Sequence, residues 1–493
     1  MRQFTVQRVM LITLFALLFA IAVRVPVDTD TWWHIRSGEY TLNEGMIYTD
    51  PFSHTMRGEN WVNHSWGSQM LIYGAWQAAG NVGLALYMAV LATAGMAVIY
   101  QMCAGDVYLR SFALVIGAAT AAVFWSPRPQ MVSFFLSTVI LYLLYLYKRK
   151  QVDRLWFIPP LMLLWGNMHA GFSIGYIFIG GVIGGEVLAN LFNPQGQHVI
   201  SLKRLRKLVL VTLVSVPALM INPYGVQMLL VPFETVSIGA LRDFIQEWNS
   251  PNFQERQTWP FIMLLLFTFG AAGASRLRLD WSDFALFSGT AFMSLLAGRN
   301  IAVFAVVATP IFTYHLADVF QERGWVFASA RRVSVMQGRL NALLAGVIVL
   351  GTLVVALGIL NPVTVEKAQR ELLPVQVSAF IAAEMPRGPM FNSYNWGGYL
   401  MFALPEYPVY TDGRTDLYGS DFLLRYLRTA AGRDDWRGVL REDGVNLVVI
   451  EQGSGLAQSL QTEPGWTQIY PTADLVDEKA AVFVRDEPLE NES

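Results

Sequence analysis

The sequence predicts a polytopic α-helical membrane protein of about eleven spans with a C-terminal extracytoplasmic α/β domain. Three observations carry this prediction. The 493-residue chain is 54% hydrophobic and 15% charged, with a mean hydropathy of +0.39; soluble domains carry about 25% charged residues. Apolar runs approaching the roughly 20 residues of a membrane span recur from residue 9 to residue 360. Charge then changes character: residues 1–360 sum to +7 and residues 361–493 to −9. The expected domains are therefore a transmembrane domain over 1–360, including an outer loop at 28–81, and an acidic extracytoplasmic α/β domain over 361–493.

The expected spans are 9–27, 82–103, 111–126, 131–147, 155–168, 171–192, 208–222, 259–274, 283–298, 300–319 and 340–360. Basic residues set the orientation, because cytoplasmic loops collect Lys and Arg. With the N-terminus inside, 17 Lys and Arg fall on inner segments and six on outer ones. The odd number of spans puts the tail outside. The apolar stretch after Arg8 has no small-residue cleavage site and runs into Asp28, so it reads as a retained first helix.

Within the outer loop, Thr31 to Glu44 reads as a helix with Asp30 as N-cap and Gly45 as its stop. Tyr48–Met56 and Asn60–His64 read as short strands around Arg57-Gly58-Glu59. Trp66–Ala79 is amphipathic and Trp-rich, as a helix in the membrane interface would be. Residues 361–375 read as a linker. Beyond it, strand patterns at Met390–Ser393, Val409–Thr411, Val445–Ile450, Thr467–Tyr470 and Ala481–Val484 alternate with helix patterns at Trp396–Ala403, Asp421–Thr429, Trp436–Glu442 and Gly455–Leu460. That alternation is the mark of a small α/β sheet domain. No internal repeat or low-complexity tract stands out.

Composition also excludes function classes. No basic domain or known module points to nucleic acid. The single cysteine, Cys103, cannot form an internal disulfide. P-loop, HExxH, nucleophile-elbow and paired-cysteine motifs are missing.

The polar outliers carry the candidate chemistry. Asp28, Asp30, His34, Arg128, Asn167, His169, Asn222, Glu247 and Arg299 fall at or just past the outer ends of the expected spans. Ionisable groups at a bilayer boundary default to a functional hypothesis. Asp28 and Asp30 beside a helix N-terminus stay ionised. They suit a general base or a divalent-cation ligand, and His34 lies four residues beyond Asp30 on the same helix face. Arg128, in Ser126-Pro-Arg-Pro-Gln130, and Arg299, in Gly298-Arg-Asn300, run against the positive-inside bias. The planar guanidinium fork binds phosphate, so a lipid phosphate would explain them. Asn167 and His169, in Trp165-Gly-Asn-Met-His-Ala-Gly171, are candidate substrate contacts or helix caps. Glu247 and Trp248, in the segment 245–251 after Asn222-Pro-Tyr-Gly225, have the character of a sugar subsite. In the tail, Asp412 and Arg414 suit an ion pair, and the glycines of Asn395-Trp-Gly-Gly-Tyr399 suit a close-approach turn. His54 and His64 read as loop hydrogen-bonding residues.

Asp30-Thr-Trp-Trp-His-Ile-Arg36 is similar to the first-loop motif of oligosaccharyltransferase catalytic subunits. The layout resembles the GT-C class of integral-membrane glycosyltransferases, with many spans, a long acidic first outer loop, an interfacial helix and an outer C-terminal domain. Asp28-x-Asp-x-Trp-Trp-His34, Asp50-Pro-Phe-Ser53, Trp61-x-Asn-His64, Asn222-Pro-Tyr-Gly225 and Trp396-Gly-Gly-Tyr399 also resemble a group of bacterial multi-pass membrane proteins. The resemblance implies a bacterial inner-membrane enzyme moving a sugar from a polyprenyl-phosphate-linked donor, outside the membrane, by direct displacement with inversion. It maps the loop aspartate to Asp30, with Asp28 the near alternative, and a divalent cation is the cofactor it leaves open. The tail carries no clear Trp-Trp-Asp motif, so the acceptor stays open too. The rival reading is a transporter or flippase for a lipid-linked or anionic substrate; a third is a scaffold whose outer domain binds an envelope partner. Transporters place polar groups near the midplane on paired repeats, and here they sit at one edge.

Overall fold

A computed structural model describes residues 4–239, 246–325, 333–433, 435–472, 477 and 479–489. Arg2, Arg242, Ile245, Arg331 and Arg332, which entered the sequence reading, lie outside the described residues. By packing, the chain divides into two units. One holds Met1–Arg24, Val82–Leu229 and Gln246–Asn361; the other holds Val25–Asn81, Leu230–Ile245 and Pro362–Ser493.

The first unit is helical. Helices stand at all eleven expected span positions: Val6–Ala22, the second part of Trp66–Met102, Val107–Ala121, Gln130–Arg149, Ile158–Met168, Ser173–Phe192, Leu202–Leu219, Trp259–Ala274, Trp281–Leu296, Ile301–Glu322 and Val335–Ile359. Seven described helices are long and apolar enough to cross a membrane; Val6–Ala22 and Leu155–Met168 are shorter apolar ones. The starts follow ordinary capping chemistry. The Asp106 side chain accepts from the amides of Tyr108 and Leu109, and Asp280 accepts from Asp283. Trp66–Met102 is broken at Ala79 and Gly80, which leave helical geometry; Gly80 has φ +54°. The expected interfacial segment therefore ends where the sequence suggested, and the boundary between the two units falls one residue further on. Val335–Ile359 exposes Leu343, Val347, Leu350, Val354 and Leu357, the all-round apolar surface of a lipid-facing helix.

The second unit is built on a four-stranded sheet. Its strands are β1 (Met390–Asn392), β2 (Leu447–Glu451), β3 (Trp466–Tyr470) and β4 (Ala480–Arg485). The order is β1-β2-β4-β3, with β1 parallel to β2 and the other pairs antiparallel. Successive strand residues face opposite sides. Met390, Leu447, Val449 and Val482 enter one core; Phe391, Val448, Ile450, Ala481 and Phe483 enter the other. Both faces are covered at β2 and β4, which is why those two strands read as near-continuous apolar runs. The first core is completed by Trp33, Ile47, Phe52 and Trp61 of the loop. The loop thus packs as a layer of this unit, whereas the sequence reading grouped it with the spans.

Three local expectations change. The supposed linker is helical, at Pro362–Leu372 and Val375–Glu384. The two loop strands reduce to a single bridge between Thr49 and Asn60, because the turn around Asp50 and Gly58 (φ +84°) consumes the backbone between them. Val409 contributes only a bridge to Ser53.

Candidate functional site

In the second unit the helix begins at Asp30, not after it: it spans Asp30–Asn43. The Asp28 carboxylate accepts the Asp30 amide at 3.0 Å, so Asp28 does the capping expected of Asp30. Asp30 is left to accept from Trp33 Nε1 at 3.2 Å. Gly413 packs against it so closely that a Cβ there would lie 2.0 Å from Asp30 Oδ1. Gly398 likewise lies against the Thr29 carbonyl. The tail glycines are needed because the loop helix start presses on their backbone.

His34 turns elsewhere. It is 5% exposed, and its Nδ1 faces Gln69 Nε2 at 3.3 Å. Gln69 in turn exchanges hydrogen bonds with Asn63. Asp28 and Asp30 are the carboxylates that could meet a divalent cation. Among the described residues no group of three or more His, Cys, Asp or Glu is gathered for a metal. A cation there would have to fill its shell with substrate oxygens and water, as Mg²⁺ does at phosphate sites.

Beside this edge lies a buried ion cluster. Arg414 donates from Nε and Nη2 to the two oxygens of Asp412, at 2.8 and 2.7 Å, and from Nη1 to Asp50 at 2.5 Å. Tyr418 donates to Asp412 at 2.8 Å. The Asp50 carboxylate also takes the Phe52 and Ser53 amides and the Ser53 hydroxyl. The guanidinium sits 4.8 Å from the centre of Trp61 and 5.3 Å from that of Phe52. Burial works to lower the pKa of Arg414, but Asp412, Tyr418 and Asp50 outweigh it and hold it well above its ordinary value. Burial, then Asp412, pushes Tyr418 well up. The Asp412–Arg414 pair was legible in the sequence. Asp50 was quoted only as part of a motif; its Asp-Pro-Phe-Ser pattern signals a side-chain-closed turn but gives no hint of an arginine 364 positions away. His54 Nε2 meets the Met390 carbonyl at 3.0 Å, and His64 Nδ1 meets the Ser65 hydroxyl, both loop hydrogen bonds as expected.

In the first unit the structure brings together Arg128, Arg299, Glu247 and Trp248. Arg128 Nη1 lies 3.8 Å from Glu247 Oε2, and Arg299 Nη1 lies 3.9 Å from Oε1. The Arg299 guanidinium stacks 4.1 Å above the Trp248 ring. These side chains remain partly open, at 18% for Arg128, 28% for Arg299 and 30% for Glu247. Turns position each one. Arg128 donates its amide to Ser126, and Gln130 closes the same turn on the Ser126 hydroxyl at 3.0 Å. Gly298 donates to the Asn249 carbonyl at 2.9 Å, tying the Arg299 turn to the Glu247–Trp248 segment. Asn300 caps the preceding helix through Met293. The chemistry is that of an anion site with an aromatic wall: two guanidinium groups share one carboxylate.

Asn167, His169 and Asn222 hold helix ends. Asn167 Nδ2 donates to the carbonyls of Leu163 and Ile221, both at 2.9 Å. His169 Nδ1 accepts the Gly171 amide and meets the Ser133 hydroxyl at 2.7 Å, to which Trp165 Nε1 also donates. Asn222 closes its turn on Tyr224 and Leu219.

No protein-family model and no curated protein sequence matches this chain. Solved structures do. The oligosaccharyltransferase AglB of Archaeoglobus fulgidus, in complex with an inhibitory peptide and a dolichol-phosphate, superposes with a TM-score of 0.58 at 13% identity, over 94% of this chain and 73% of that one. The same organism's enzyme in its apo form gives 0.57 at 13% identity, over 90% and 69%. ArnT of Cupriavidus metallidurans, bound to undecaprenyl phosphate, gives 0.49 at 14% identity over 96% of each chain. At these identities the likeness to AglB establishes the fold. It is a multi-helix fold with a small C-terminal sheet, as the sequence predicted; seven of its described helices reach the length and apolarity of a span, against about eleven expected.

Proposed function

We propose that this protein is a glycosyltransferase that moves a sugar from a polyprenyl-phosphate-linked donor to an acceptor at the outer face of the bacterial inner membrane. The observation that carries the reading is the gathering of Arg128, Arg299, Glu247 and Trp248 on a GT-C-like fold. The dolichol-phosphate named with AglB supports the choice of carrier. Arg128 and Arg299 hold the donor phosphate and stabilise the negative charge that grows on it as the glycosidic C–O bond breaks. Trp248 offers a face to the sugar and Glu247 a hydrogen-bond acceptor. Asp30 takes the acceptor's proton while the acceptor attacks the anomeric carbon from the opposite side. The polyprenyl phosphate leaves with the bonding pair, and the sugar's configuration inverts. A divalent cation, if the reaction recruits one, would sit at Asp28 and Asp30 and add Lewis-acid stabilisation of the phosphate. The proposed topology is eleven spans with the N-terminus cytoplasmic and the C-terminal domain outside.

The test compares wild-type and Asp30→Asn protein in membranes, with sugar release from a radiolabelled polyprenyl-phosphate sugar as readout. A general base contributes about 10²–10⁴ in rate, so transfer is expected to fall by that factor with the protein still folded. Full transfer by Asp30→Asn rejects the catalytic role. Movement of intact donor across vesicles, with no cleavage of the sugar–phosphate bond, would favour the transporter reading. A reporter fused after Ser493 is expected outside the cell; cytoplasmic signal overturns the topology.

A further inference from the structure

We propose that a second site, at the far end of the same helices, binds the phosphate of an anionic lipid and lays its hydrocarbon chain along an apolar wall. The Gln130–Arg149 helix starts two residues after Arg128 and runs 20 residues, about 30 Å. Its last turn opens onto a cavity of about 400 Å³ in the first unit. Leu144, Val182, Leu286 and Ile311 form part of the wall, and Arg110, Lys148, Arg149 and Lys150 line the polar side.

The charges there are unequal in role. Lys148 is held by Glu186 and by Asp280 at 3.5 Å. Arg149 is held by Asp280 at 2.8 Å and by Asp283. These three carboxylates and two cations form a buried frame, which Ser282 joins by donating to Glu186. Arg110 and Lys150 meet aromatic rings instead, Tyr100 at 5.4 Å and Tyr145 at 5.8 Å. Asp106, close in sequence to Arg110, accepts the Tyr108 and Leu109 amides on one of its two carboxylate oxygens. The frame fixes the shape, and the two ring-facing cations supply positive charge at the mouth. Basic pockets between membrane helices with a greasy wall suit a lipid phosphate better than a free anion. The local field shows at His198, another lining residue. Burial, then Arg149 and Lys148, lowers its pKa against the pull of Asp280.

The full chain, purified in a neutral detergent, is titrated separately with dioleoyl-phosphatidylglycerol, undecaprenyl phosphate and dioleoyl-phosphatidylcholine, and bound lipid is read by native mass spectrometry. Saturable binding of phosphatidylglycerol, of undecaprenyl phosphate or of both is expected; the lipid whose binding the Arg110 and Lys150 variants weaken is the one this cavity takes. Each Lys or Arg near a lipid phosphate is worth about 1 kcal/mol. Arg110→Ala/Lys150→Ala is therefore expected to weaken binding roughly tenfold or more. Lys150→Glu, on an exposed side chain, should weaken it without threatening the fold. Arg437→Ala, at an exposed salt-bridge residue of the second unit, should leave it unchanged. Equal uptake of phosphatidylcholine, no uptake of either anionic lipid, unchanged binding in both the Arg110/Lys150 and the Lys150 variants, or equal loss in the Arg437 variant overturns the proposal.

Discussion

Two arginine–carboxylate clusters in this molecule use the same side chains to opposite ends. Arg414 is 1% exposed and meets two carboxylates, Asp50 and Asp412, at hydrogen-bond distance. Arg128 and Arg299 are partly open and share a single carboxylate at 3.8–3.9 Å. The first arginine is outnumbered by anions and sealed by Phe52, Trp61 and Tyr418. Its bonding capacity is used up inside the fold. The second pair meets Glu247 at longer range. A guanidinium in that position keeps a preference for an incoming phosphate. Distance and exposure together separate a staple from a candidate ligand site, where residue type alone does not.

That contrast can be broken by experiment. Arg414→Met keeps the volume and removes the charge, leaving Asp50 and Asp412 buried without their partner. Loss of one member of a buried pair costs about 3–5 kcal/mol, and thermal unfolding of the detergent-solubilised protein should register it. A variant as stable as wild type would mean that Arg414 is no staple. Arg299→Ala should act on donor affinity instead. Charged hydrogen bonds are worth about 1.5–3 kcal/mol, so the donor Kd should rise roughly tenfold to a hundredfold while the melting temperature stays close to wild type. Donor affinity that does not move removes Arg299 from the site. The smallest effect is expected from His54. Burial lowers its pKa, partly offset by the Met390 carbonyl and Asp443. The folded state therefore binds its proton less readily than the unfolded chain, whose value is about 6.5. Stability should fall as pH drops below about 6.5 and level off once pH passes the folded value. His54→Gln should flatten that slope; a slope identical to wild type would assign it to other groups.

Much of this was legible in the chain. Apolar runs gave the helix positions, because a span's length requirement leaves little choice of where it lies. The Trp-rich segment was bounded at Ala79, where the helix breaks. Arg128, Arg299, Glu247 and Trp248 were each singled out by local surprise, and the structure gathers them. What stayed hidden depended on contacts between distant segments. Asp50 finds Arg414 across 364 positions, and no local pattern encodes that distance. His34 has the right spacing to share a face with Asp30, yet Gln69 of the next helix claims its ring. Asp30 read as the cap, but the helix already includes it and the capping bond comes from Asp28. Helical residues 362–372 were masked by a charged, mixed composition that also suits a linker.

The layer formed by residues 25–81 has a consequence for biogenesis. Trp33, Phe52 and Trp61 lie in one core with β1, β2 and β4, and those strands are synthesised well after residues 25–81. At about 5–20 residues per second, the ribosome needs roughly 15–60 s to pass from Asn81 to Met390. Throughout that interval the loop's aromatic side chains lack the surface they will cover. A chain truncated before Met390 would leave them stranded, so nascent molecules should depend on a holding factor or on the bilayer surface until the final hundred residues arrive.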